Sequence, residues 1–122
     1  MNATILKART KKFALRILKI VDALPNSIKG RAIANQLVRA GTSVASNYRA
    51  SCRGRSKAEF NAKLGTVAEE ADESALWLEL IIEDGILPKK RVQSLLDEAN
   101  EIVAIMTSSR KTASKSVKKK RF

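Results

Sequence analysis

Apolar residues return every three or four positions along almost the whole chain, and strict alternation persists nowhere, a pattern that predicts helices rather than strands. In the first helix Phe13, Ile17, Val21 and Leu24 share one face, widened by Leu18 and Ile20. It should stop at Leu24, because Pro25 disfavours a helical backbone at the residue before it. The second helix steps through Ile33, Leu37, Ala40, Val44 and Tyr48. Arg53-Gly54-Arg55 then breaks the rhythm, and Ser56-Lys57-Ala58-Glu59 reads as a capping box. In such a box the Ser56 hydroxyl accepts from the Glu59 N–H while the Glu59 carboxylate reaches back to the Ser56 N–H. The third helix carries Phe60, Leu64, Val67, Ala71, Ser74, Leu78 and Ile81 in alternating steps of four and three, a seam suited to near-parallel helix packing. Gly85 stands where a glycine ends a helix, and Pro88 near the first turn of a fourth helix bearing Val92, Leu95, Leu96, Ala99, Ile102, Val103 and Met106.

Four such helices with short connections predict an all-α protein, an antiparallel up-down four-helix bundle with helices roughly at 4–23, 27–52, 56–84 and 88–107. From Thr107 the composition changes. Residues 107–122 hold seven Lys/Arg and no acid, with little to bury, and read as a disordered basic tail beyond a bundle of residues 1–106.

The 122 residues suit a single domain, and a hydrophobic fraction of 44% is enough to build a core. Histidine is absent, which excludes imidazole bases and mixed His/carboxylate metal sites. Cys52 is the sole cysteine, so no intrachain disulfide or thiolate cluster forms, and the expected setting is reducing and cytoplasmic. The apolar clusters are too short to span a bilayer, so no membrane partner is expected. The basic stretch before Leu24 is interrupted by Arg16 and Lys19 and reads as a first helix rather than a targeting segment. No enzyme chemistry and no cofactor are expected. Glu69, Glu70, Asp72 and Glu73 have the spacing of a solvated helix face rather than a metal site. Cys52, near three arginines, reads as a small helix-end hydrophobe more readily than as a reactive thiol.

Charge is unevenly spread. The formal net charge is +12, yet residues 59–84 hold eight acids against Lys63, while residues 1–58 hold thirteen basic residues against Asp22. One reading sets the acidic helix three against basic stripes of helices one and two, within or between subunits. The other gives the surplus positive charge to a nucleic acid. The strongest candidate site is the segment between helices two and three, where Arg49, Arg53, Arg55 and Lys57 cluster beside a helix N-terminus that favours phosphate. The plainer reading is that Arg49 and Arg53 complement the C-terminal dipole of helix two. In the tail, Lys115, Lys118, Lys119, Lys120 and Arg121 are further candidate phosphate contacts. Helix three also has a second apolar face, with Leu76, Trp77 and Leu80 outside the seam, which argues for an oligomer. Gly41 and Gly65, costly inside helices, mark candidate close approaches at helix or subunit interfaces.

Gln36-Leu37-Val38-Arg39-Ala40-Gly41-Thr42-Ser43-Val44-Ala45-Ser46-Asn47, followed by Arg55-Ser56-Lys57-Ala58-Glu59-Phe60, resembles the bacterial 23S rRNA intervening-sequence protein family, with its "QLxRAxxSIxxN" helix and "RSxxEF" helix start. Phe13-Ala14 and Leu24-Pro25 fit the same pattern. Where many members continue "NIAEG", this chain has Asn47-Tyr48-Arg49-Ala50-Ser51, which suggests a subgroup. The resemblance implies an up-down bundle assembled as a ring-like homopentamer. Related bundle proteins serve as accessory factors of diversity-generating retroelements, so the resemblance also implies RNA or DNA binding. The expectation is therefore a non-enzymatic oligomer that binds nucleic acid weakly and with little sequence preference. The alternative is a structural or adaptor oligomer whose basic patches face a protein partner.

Overall fold

The structure is a computed structural model that describes residues 2–120, with only the backbone described at 111 and 113–120. Four helices follow one another: α1 (Ala3–Ala23), α2 (Ile28–Cys52), α3 (Lys57–Glu83) and α4 (Lys89–Lys120). Each of the first three begins on a side-chain cap. Asn2 Oδ1 accepts from Ile5 N at 2.9 Å, Ser27 Oγ from Gly30 N at 3.1 Å, and Ser56 Oγ from Glu59 N at 3.1 Å. These caps satisfy backbone donors that have no partner within the helix.

The helix ends follow from local chemistry too. Leu24 has an extended backbone (φ −71°, ψ 142°), as the following proline requires. At the end of α3, Gly85 adopts φ +69°, its N–H donates to the Ile82 carbonyl at 3.0 Å, and Ile86 N–H donates to Ile81 O at 3.0 Å. That pairing is a Schellman motif, and only glycine enters its left-handed position without strain.

The helices form a closed square in which α1 packs on α2, α2 on α3, α3 on α4 and α4 on α1, while α1 and α3 lie on one diagonal. The core is the set of seams expected from the periodicity. Phe13, Ile17, Leu37, Val44, Leu64, Val67, Leu78, Ile81, Leu95, Ile102 and Met106 are all fully buried. Leu18 departs from expectation. It lies one step past Ile17 on the solvent side of α1 and is 41% exposed, so it does not widen the core face. α4 runs past residue 107 to Lys120, with no proline or glycine in that stretch to stop it. Among the described residues, no helix is long and apolar enough to cross a membrane.

Two glycines report how closely the helices approach. A Cβ on Gly41 would lie 2.6 Å from Ile17 Cγ1, so α1 and α2 approach closely there. A Cβ on Gly65 would instead meet the Arg110 guanidinium of α4, the flexible end of a side chain, at 3.2 Å. Both close approaches occur inside the chain.

Candidate nucleic-acid interface

The connection from α2 to α3 is short and tightly closed. Arg53 N–H donates to Ala50 O and Gly54 N–H to Ser51 O, both at 3.1 Å. The capping box forms only in part. Ser56 accepts from Glu59 N–H, but the Glu59 carboxylate accepts from Arg55 N–H at 3.4 Å, one residue before the donor expected. The carboxylate thereby holds the backbone of the basic segment itself.

Arg49, Arg53, Arg55 and Lys57 are all exposed and lie around this one junction. Arg49, Arg53 and Arg55 enter none of the ion pairs among the described residues. Arg49 stands in the last turn of α2, where it also complements the negative end of the helix dipole. Of the tail candidates, the side chains of Lys115, Lys118, Lys119 and Lys120, and all of Arg121, lie outside the described residues.

Folding adds a feature that no single segment announces. An open cleft of about 680 Å³ sits at this end of the bundle, lined by Leu6 of α1, Tyr48 and Cys52 of α2, Phe60 of α3 and Ser109 of α4, with Arg55 and Lys57 among its lining residues. Tyr48 is buried, and that burial, with a contribution from Cys52, pushes its hydroxyl up to about 12. Tyr48 is therefore a neutral core residue that presents no free ring for base stacking.

The acidic residues divide in two. Glu98 of α4 takes a bidentate bond from Arg9 of α1, at 2.7 Å from Nε and 2.6 Å from Nη2, which holds its carboxyl below the ordinary value. Arg9 also lies 3.5 Å from Glu101, and Arg16 donates to Ser94 Oγ at 2.9 Å. On α3 the picture differs. Lys29 pairs with Asp84 at 2.6 Å, just past the helix end, but Glu69, Asp72, Glu73, Glu79 and Glu83 enter none of the ion pairs among the described residues. The basic first helix thus pairs with α4, and its diagonal position keeps it away from the acidic face of α3. Glu70 is pushed above the ordinary value, first by burial and then by the charge of Glu73. Among the described residues, no three Cys, Asp or Glu side chains are grouped to hold a metal ion.

The five candidate interface residues are found in different surroundings. Gly41 and Gly65 are buried within the chain, and Trp77 packs on its own core with Nε1 3.5 Å from Glu73. Leu76 and Leu80 remain 48% and 40% exposed. Leu15, also 53% exposed, joins Leu18 on the outer face of α1, a pairing that sequence reasoning did not single out.

The architecture is that of an all-α four-helix bundle with a cationic junction at one end. The chain belongs to the 23S rRNA-intervening sequence protein family, whose profile matches residues 4–108. It is also similar to a crystal structure of a protein of unknown function from the S23 ribosomal protein family of Bacteroides thetaiotaomicron. That protein is 31% identical, with a TM-score of 0.83 over 91% of this chain and 99% of the other. No curated protein matches the chain. Neither the family nor this neighbour indicates an enzyme.

Proposed function

We propose that this chain is a non-enzymatic homo-oligomer that binds RNA or DNA weakly and with little sequence preference. The binding surface is the α2–α3 junction together with the basic C-terminal residues. The observation that supports this reading is the clustering of exposed Arg49, Arg53 and Arg55 around one helix junction, outside every ion pair among the described residues. Cations without a carboxylate partner keep their full attraction for phosphate, and the α3 N-terminus adds its dipole at the same place. Binding through such contacts is driven by counterion release, so it carries little sequence information. The exposed Leu76 and Leu80 support self-association, and five is the subunit number that the family resemblance implies.

The test is fluorescence anisotropy of labelled RNA and DNA of one sequence, titrated with the protein across a salt series. The expected result is binding to both, with log affinity falling against log salt at a slope of about −3 or steeper, equivalent to about four phosphates or more. Absence of binding at low salt would contradict the reading. A second reading, an adaptor that docks on a protein, draws on the exposed leucines, and its affinity would hold as salt rises.

A further inference from the structure

The outer faces of α1 and α3 are complementary to each other. On α1, exposed Leu15 and Leu18 are flanked on the same face by Lys7, Lys11, Lys12 and Lys19, all exposed. On α3, exposed Leu76 and Leu80 are flanked by Glu69, Asp72, Glu73 and Glu83. Each face carries two leucines one helical turn apart. At 1.5 Å per residue the two faces run about 18 Å and about 21 Å along their helices. One carries only lysines around its leucines and the other only carboxylates, apart from Asp22 at the far end of the α1 face.

The two faces cannot meet within one molecule. α1 and α3 occupy one diagonal of the bundle and are not packed as neighbours, and each turns its apolar seam inward, so the outer faces point away from each other. For the same reason, two molecules cannot satisfy both faces against each other in a twofold dimer. Each face is left for a different neighbour. We infer that the lysine-flanked face of α1 in one copy of this chain docks on the carboxylate-flanked face of α3 in the next, head to tail. This rests on the homo-oligomeric reading above and names the surfaces that make it.

The leucine pairs would supply the dry centre of the contact and the charges its rim and its polarity. A contact between two different patches of the same subunit propagates until rotation closes a ring, or continues as a filament if it does not. The like-to-like alternatives, α1 on α1 or α3 on α3, would bring four lysines or four carboxylates against their own kind. Charge therefore selects the direction of assembly. The α2–α3 junction lies outside both faces and stays free for another ligand.

The experiment is sedimentation velocity on the full chain and three variants, with circular dichroism to confirm that each is folded. Lys7→Glu/Lys11→Glu/Lys12→Glu/Lys19→Glu makes both faces acidic, and Glu69→Lys/Asp72→Lys/Glu73→Lys/Glu83→Lys makes both basic. The wild type should sediment as a multiple of 13.4 kDa, and each fourfold variant as a folded species of 13.4 kDa. The combined variant, in which the signs are exchanged, should recover the mass of the wild type. A merely structural role for these residues would not be rescued by exchange. If the wild type is oligomeric and both fourfold variants keep its mass, the α1–α3 contact is wrong while the homo-oligomer stands. If the wild type sediments at 13.4 kDa, the oligomeric reading fails and this contact with it.

Discussion

Around α3 the bundle is closed by fully buried aliphatic side chains, Leu64, Val67, Leu78 and Ile81, packed between α2 and α4. Between α1 and α4 it is closed instead by the Arg9–Glu98 pair, the Arg16–Ser94 bond and an open groove of about 400 Å³ lined by Leu6, Ala104, Ile105, Ser108 and Ser109. The apolar seam gains its stability from area removed from water, which neither salt nor pH disturbs much. The polar seam gains register more than stability, because an ion pair still partly open to water contributes only about 1 kcal/mol or less. It also carries the Arg9–Glu98 pair, whose carboxylate is held below its ordinary value. The first helix is accordingly the element expected to open before the others.

The largest effect should come from the apolar seam. Leu78→Ala empties a fully buried site and should cost about 2–5 kcal/mol in urea unfolding, the range for buried leucine truncations. A loss below about 1 kcal/mol would show that this seam packs more loosely than the buried side chains imply.

Next come the two glycines. Gly41→Ala drives a methyl against Ile17, a fully buried branched side chain with little room to move. Overpacking of about 1–3 kcal/mol outweighs the gain in helix propensity of up to about 1 kcal/mol, so the variant should be less stable. Gly65→Ala meets only the movable end of Arg110, so the propensity gain stands and the variant should match or exceed the wild type, by up to about 1 kcal/mol. Thermal melts of the two variants side by side separate a rigid neighbour from a yielding one.

The smallest effects are read through pH, at Glu98 of the polar seam and at Glu70 of α3. Glu98 has a depressed folded-state value because of Arg9, so its contribution is present above the ordinary carboxylate value and is lost as pH falls through the depressed one. Glu98→Gln should therefore be less stable than the wild type at pH 7, by about 1 kcal/mol, and the gap should narrow on acidification. Glu70 has the opposite sign. Its raised value means that the charged form is disfavoured in the fold, a contribution lost as pH rises through the raised value. Glu70→Gln should match the wild type in acid and equal or exceed it at pH 7. Urea midpoints at the two pH values check both.

Helix positions and seams were legible because they depend on local periodicity. Phe13, Ile17, Leu37, Val44, Leu64, Leu78 and Ile102 all took the buried places that their spacing assigned. The cap at Ser56 and the glycine end at Gly85 are likewise local chemistry. Leu18 was misjudged because spacing alone does not decide where an apolar stripe gives way to solvent. The Arg9–Glu98 pair was not legible at all. It joins residues 89 positions apart and depends on the register of two helices that periodicity leaves free. The cleft was hidden for the same reason, since its walls come from all four helices. The basic cluster at the α2–α3 junction was visible in the sequence, but its exposure and the absence of Arg49, Arg53 and Arg55 from the ion pairs among the described residues needed the fold.

The measurement closest to the central claim is the nucleic-acid affinity of the Arg53→Glu/Arg55→Glu variant beside the wild type, across a salt series, with circular dichroism confirming an intact bundle. If the junction holds phosphates, the variant binds more weakly at every salt concentration, and its log–log slope becomes shallower by about 2, one for each lost contact. An unchanged affinity and slope in a folded variant would take the α2–α3 junction out of the account.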